Sequence, residues 1–254
     1  MKVTLYGVPA SHPTACIEAA LQVKAIPYAR VDLMPILHKP IQRVRFGRPT
    51  VPAISFNGER IVGSSSILPR LDELVSTPSL YPTDREKRET VVEAERFGEQ
   101  SVQPAVRRII YAALRRSPQA IISYLEGSGL ALPVWMVRPL ARWFVAAGSA
   151  ANAANDSDTR ADLHALPAQL ARIDDWIDEG VLGQSPPNAA DLQIGSSIRL
   201  LLTIEDMQPV LANRKAQALA TDLFPRYPGK IEKNALPGQW LGLEGVEVGQ
   251  PAAE

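Results

Sequence analysis

The run from Arg48 to Ile67, Arg-Pro-Thr-Val-Pro-Ala-Ile-Ser-Phe-Asn-Gly-Glu-Arg-Ile-Val-Gly-Ser-Ser-Ser-Ile, admits few folds. It sets an Asn-Gly pair between two short apolar runs, and Asn-Gly favours the type I′ turn because both central residues must take positive φ. Ala53 to Asn57 and Glu59 to Val62 therefore read as an antiparallel hairpin. A proline at the mouth of a strand cannot donate to the ladder, but it can hold a cis bond that turns neighbouring backbone groups outward. Val51-Pro52 is the candidate for that geometry, and the serines after Gly63 open a helix.

Upstream, Lys2 to Gly7 reads as a strand, Pro13 to Lys24 as a helix with Ile17, Ala20, Leu21 and Val23 on its apolar side, and Tyr28 to Leu33 as a second strand. The order is β-α-β, a connecting segment, then β-β-α. In that order, with X-Pro before the third strand and serine at the start of the last helix, the segment resembles the thioredoxin-like domain of the cytosolic glutathione S-transferases. A second motif, Asn188-Ala189-Ala190-Asp191, resembles the capping box of the central helix in that family's all-helical domain. Ile194, Ile198, Leu200, Leu201 and Leu202 make the following helix apolar on most sides, so Asp191 reads as a structural residue. The resemblance implies α/β plus all-α architecture: a thioredoxin-like thiol-binding domain over 1–76, a linker over 77–84 and a helical bundle over 85–254.

The chain has 254 residues, long enough for two such domains. Its 27 basic and 27 acidic residues cancel, which removes any general attraction for nucleic acid. A single cysteine excludes an intrachain disulfide framework, and a strand beginning at Lys2 leaves no room for a leader, so a cytoplasmic protein is expected. Leu130 to Ala150 carries Trp135, Met136, Trp143 and Phe144 but is interrupted by Pro133, Arg138, Pro139 and Arg142. It is no membrane span. A packing helix, a wall of a substrate pocket and a bilayer-surface helix all fit it.

Beyond the linker, a helical run from Asp84 meets Pro104, where a kink or break is expected. Leu163, Leu166, Leu170, Ile173 and Ile177 form one face of a later helix, between loops at 152–158 and 183–187. Val246 to Glu254 reads as a frayed tail.

The resemblance implies a bound glutathione, or another low-molecular-weight thiol, held as thiolate to attack a hydrophobic electrophile in a homodimeric enzyme without a metal. It places Ser11 at the position of the catalytic serine, with a helix cap as its bland alternative, and Tyr6 near the position used by tyrosine-type members. Cys16 lies more than a turn into the helix and reads as a buried hydrophobe. Between Leu33 and Gly58 there is no acid, while His38, Lys39 and Arg48 suit the thiol's glycine carboxylate. Val51 and Pro52 would present backbone to the thiol, and Ser64 with Ser65 would hold its γ-glutamyl end. Gly63 stands where the family has an acid or Gln, which leaves the γ-glutamyl ammonium without that partner. The same fold also serves as a non-catalytic interaction module, or as a thiol-dependent isomerase, dehalogenase or peroxidase.

Overall fold

A computed structural model describes residues 2–130 and 134–242. The N-terminal sheet has the order β2-β1-β3-β4, built from β1 (Val3–Gly7), β2 (Ala29–Asp32), β3 (Ala53–Phe56) and β4 (Glu59–Val62). β2 runs parallel to β1, while β3 is antiparallel to both β1 and β4. Asn57 and Gly58 both take positive φ, 47° and 96°, as the hairpin requires. Leu5 and Ile54 are fully buried beneath α1 (His12–Val23) and α3 (Ser64–Leu74). The connecting segment is itself a helix, α2 (His38–Phe46), closed by Gly47 in the left-handed conformation. It carries a basic surface and buries only Gln42, so it has no apolar periodicity by which a sequence reading could find it.

Lys24 locks the end of α1 to the coil that follows α3. Its buried ammonium bonds Asp72 at 2.6 Å and the carbonyls of Val75 and Pro78 at 2.5 and 2.8 Å. Asp72 in turn accepts from the Leu80 N–H at 2.6 Å, and the Leu80 carbonyl accepts from Ala189. One ion pair with satisfied neighbours thus ties both halves of the chain together.

The second half is helical. Asp84 caps α4 (Arg85–Phe97) by accepting from the Lys87 N–H. The chain then passes through a π-helical turn (Gly98–Val102) into α5 (Gln103–Arg116) without a break. Of the kink or break expected at Pro104, the chain does not break, and the regular α-helical hydrogen bonding is interrupted just before the proline, where Gln103 donates to Gly98 in the π turn. After a 3₁₀ turn (Pro118–Tyr124) come α6 (Val134–Val137), α7 (Ala141–Ala151) and α8 (Asp156–Asp178). α8 starts inside the expected 152–158 loop, because Asn155 accepts from the Asp158 N–H at 2.8 Å and two aspartates favour its first turn. Its core face is the expected one, with Leu163, Leu166, Leu170 and Ile173 buried.

α9 (Ala189–Leu201) is buried along nearly its whole length and packs on α1, α4 and α5. Its capping box is complete. Asn188 accepts from the Asp191 N–H at 3.0 Å, and Asp191 accepts from the N–H groups of Asn188 and Gly183 at 2.9 and 2.7 Å. α10 (Gln208–Leu211) and α11 (Lys215–Leu223) close the bundle. The Leu130–Ala150 segment is an amphipathic layer: Val137, Ala141, Phe144 and Val145 are buried, while Trp135, Met136, Leu140 and Trp143 are exposed. No helix among the described residues is long and apolar enough to cross a membrane. The tail at 246–254 lies outside the described residues.

Replacing Asp191 by Ala leaves the buried Asn188 N–H and the more accessible Gly183 N–H without acceptors and is expected to cost about 1 kcal/mol or more in urea unfolding, with normal specific activity in the folded fraction. A stable but inactive variant would show a role beyond capping.

Glu95 offers a test by pH. Its carboxylate accepts from the Tyr81 hydroxyl at 2.9 Å, and burial pushes its pKa from 4.5 up to about 7, with the charge of Glu99 adding and the Tyr81 bond opposing. The folded state therefore keeps a proton that the unfolded chain releases, so this group's contribution to stability falls as pH rises from 4.5 to about 7. Glu95→Gln removes that dependence. The melting temperature of the variant minus that of the parent should become more positive between about pH 5 and about pH 8, and an unchanged difference would refute the assignment.

Candidate active site

A cavity of about 510 Å³ opens between the sheet domain and the helices. One wall is the start of α1, the segment before β3 and the start of α3; the other is the π turn, the inner face of α5, and Ile121, Tyr124 and Leu125. Ser11, His38, Lys39, Arg48, Val51, Pro52, Ser64 and Ser65 all line it. Tyr6 does not. Its ring packs edge-on against Phe46 at 5.1 Å between centroids and lies under the Arg45 guanidinium at 4.6 Å, on the side of the sheet that α2 covers.

Ser11 occupies the N-cap position of α1 with extended backbone, yet its hydroxyl makes no capping bond. The bland reading of Ser11 as a side-chain cap is therefore not what the structure shows. Pro13 lacks an N–H, and the first turn of α1 carries no acid, so the positive end of the helix faces the cavity uncompensated. The start of α3 is likewise free of acid and lines the same cavity with Ser64, Ser65 and Ser66. Two helix N-termini thus converge on one anion-attracting space.

The Val51-Pro52 bond is cis, as expected. The Pro52 carbonyl accepts from the Gly63 N–H at 2.9 Å, fixing the turn against the head of α3. Gly63 caps that helix at φ 92°, in the left-handed half of conformational space. A Cβ there would meet nothing within 4 Å, so the constraint is backbone strain and not room. Any side chain introduced at this position therefore strains the turn. Among the described residues the acid that lines the cavity is Glu99, on the π turn.

Cys16 is fully buried and its thiol donates weakly to Gln193 Oε1 at 3.6 Å. Burial pushes its pKa well up, with the charges of Glu95 and Glu99 adding, so it is an inert thiol. His38 is held below its usual pKa chiefly by burial.

His12, which sequence reasoning passed over, is 3% exposed and lines the cavity beside Ser11. Its Nδ1 lies 3.0 Å from Ser197 Oγ. The Ser197 hydroxyl donates to the Gln193 carbonyl at 3.2 Å, so Nδ1–H donates to Ser197 Oγ and Nε2 is left as a bare acceptor. Burial, then the charge of Arg107, holds the ring neutral. Gln103, Arg107 and Tyr111 on α5 also line the cavity. The signal for them was present in the sequence as a helical spacing, but no motif marked it.

Residues 5–79 match the family model described as the glutathione S-transferase N-terminal domain. Over that segment the chain matches the glutathione S-transferase N-terminal domain, and as a whole it has the glutathione-transferase fold. Glutathione transferase F7 from Populus trichocarpa is similar at 16% identity over 88% of this chain and 94% of that one, with a TM-score of 0.61. The Tau class transferase MiGSTU from mango, Mangifera indica, is similar at 14% identity over 94% and 96%, with a TM-score of 0.60. A maleylacetoacetate isomerase from Anaeromyxobacter dehalogenans with bound GSH in its active site is similar at 16% identity over 87% and 89%, with a TM-score of 0.52. No curated protein matches the chain in sequence.

Gly63→Ala is expected to lower stability by about 1 kcal/mol through strain at positive φ, read from urea unfolding. A neutral substitution would show that the turn relaxes.

Proposed function

We propose that this chain is a glutathione-transferase-like enzyme, cytoplasmic and homodimeric, that conjugates a bound small thiol to an electrophile. The observation that carries the reading is Ser11, whose hydroxyl is uncapped and stands at the acid-free N-terminus of α1 in a cavity between the two halves of the chain.

The division of labour follows from the walls. Val51 presents peptide groups beside the cis bond to the backbone of the thiol ligand. Lys39, Arg48 and His38 accommodate its glycine carboxylate, while Ser64 and Ser65 at the head of α3 take the γ-glutamyl end. Glutathione supplies the nucleophilic sulfur. The Ser11 hydroxyl donates a hydrogen bond to that sulfur and, with the positive end of α1, favours its thiolate. Ile121, Leu125 and Leu114 offer an apolar surface to the electrophile's body and exclude water around the attacking sulfur. Residues 1–76 serve in this reading as the thiol-binding domain, 77–84 as linker and 85–254 as the helical domain that completes the second-substrate side.

Ser11→Ala should cut conjugation of a chloro-dinitrobenzene about 10- to 100-fold, the worth of one charge-assisted hydrogen bond, and should move the half-maximal pH of the reaction upward. Because the hydroxyl caps nothing, stability should stay within about 0.5 kcal/mol. Tyr6→Phe should leave the rate near that of the parent. A greater loss from Tyr6→Phe than from Ser11→Ala would transfer the role to Tyr6, and an active Ser11→Ala enzyme would remove the serine from the mechanism.

A further inference from the structure

We propose that the helical side of the cavity binds a carboxylate of the second substrate on Arg107, so that the preferred electrophile is an amphiphilic acid and not a neutral hydrophobe. The proposal deepens the reading of this cavity as a substrate site.

α5 carries four arginines. Three have an aspartate: Arg108 binds Asp162 through two nitrogens at 2.5 and 2.7 Å, and Arg115 and Arg116 share Asp156. Arg107 has none. No carboxylate oxygen lies within 4.0 Å of it among the described residues, and its partner is the side-chain oxygen of Gln103, one turn earlier. Yet Arg107 lines the cavity and is partly buried, and that burial depresses its pKa. A guanidinium taken out of water without a counter-ion is unfavourable unless a ligand supplies the charge, and its planar fork matches a carboxylate.

Gln103 gives an independent indication. It is 6% exposed, and its oxygen is committed to Arg107, which fixes the amide's orientation. Its Nε2 is buried without a partner, leaving N–H donors beside the guanidinium. Both residues therefore call for an acceptor. His12 offers a bare acceptor in its Nε2, but no hydrogen bond joins it to either residue, so their donors stay open toward the cavity. Glu99 lines the same cavity and attracts Arg107 through space but does not pair with it. Ile110 and Leu114 follow Arg107 on the same cavity-facing side of α5, so the anion must carry an apolar body. Lys39 and Arg48 lie across the cavity on the sheet side, where the thiol's own carboxylate is assigned, so the two anion sites are separate.

The test needs no turnover. Binding of 4-phenylbutyrate and of its neutral isostere 4-phenylbutyramide is measured by calorimetric titration, with and without saturating S-methylglutathione. The acid should bind the parent protein about tenfold or more tighter than the amide, in keeping with a charge-assisted pair. The preference should vanish in Arg107→Gln and persist in part in Arg107→Lys, with each variant's folding checked by circular dichroism. S-methylglutathione should not displace the acid. Equal affinity of the two probes, no binding of either, a preference that survives Arg107→Gln, or displacement by S-methylglutathione would each overturn the proposal. The parent-protein comparison decides even if the variants fail to fold. Discrimination between acid and amide in a protein that shows no conjugation would leave the anion site standing while the transferase reading falls.

Discussion

The buried carboxylate of Asp191 is the interaction on which much else depends. Burial pushes its pKa up to about 6, yet two backbone N–H groups hold its oxygens at 2.7 and 2.9 Å. These bonds, with the Asn188 side chain, fix the start of α9 and the loop before it. α9 then runs through the centre of the molecule as the surface on which α1 lies. The contacts along that seam are specific: Ser197 orients the His12 ring, and Gln193 accepts from Cys16. A cap outside the cavity lining thus helps set where the cavity-facing end of α1 points.

Lys24 does the same work at the opposite end of α1. Its ammonium gathers Asp72 and two carbonyls of the coil after α3, and Asp72 carries the restraint on to Leu80 and so to Ala189 at the head of α9. α1 is therefore held at both ends against the helical half. A cavity that takes one wall from each half depends on such a seam for its shape, because the relative placement of the groups on the two walls follows from it.

The sheet domain and the start of α9 were legible in the sequence because their decisive residues have local conformational demands: Asn57-Gly58 needs positive φ at both positions, and Asn188 with Asp191 satisfy one another across a single turn. α2 was not legible, since a short helix covered with Lys and Arg and burying only Gln42 has no periodic apolar signal. At Pro104 the site of an irregularity was legible and its form was not: the helix continues through a π turn that packs against α9, a contact the local sequence does not announce. Of the candidate site, the eight cavity residues on the sheet side came from their place in a motif, whereas His12, Gln103 and Arg107 became visible only through unpaired polar atoms and a missing counter-ion, which are properties of the folded neighbourhood.

The two walls of the cavity answer to different constraints. On the sheet side, the features that line the cavity are those of the backbone: the turn before β3, the head of α3 and the head of α1, which keep their geometry with a glycine at position 63. On the α5 side there is no such backbone device. A regular helix has its own N–H and C=O groups engaged, so every polar preference there must come from side chains repeated on one face. Gln103, Arg107 and Tyr111 occupy that face among Ile110 and Leu114. Exchanging those few residues changes the polarity of that wall while the backbone features across the cavity stay as they are, so one fold can present different surfaces to a ligand.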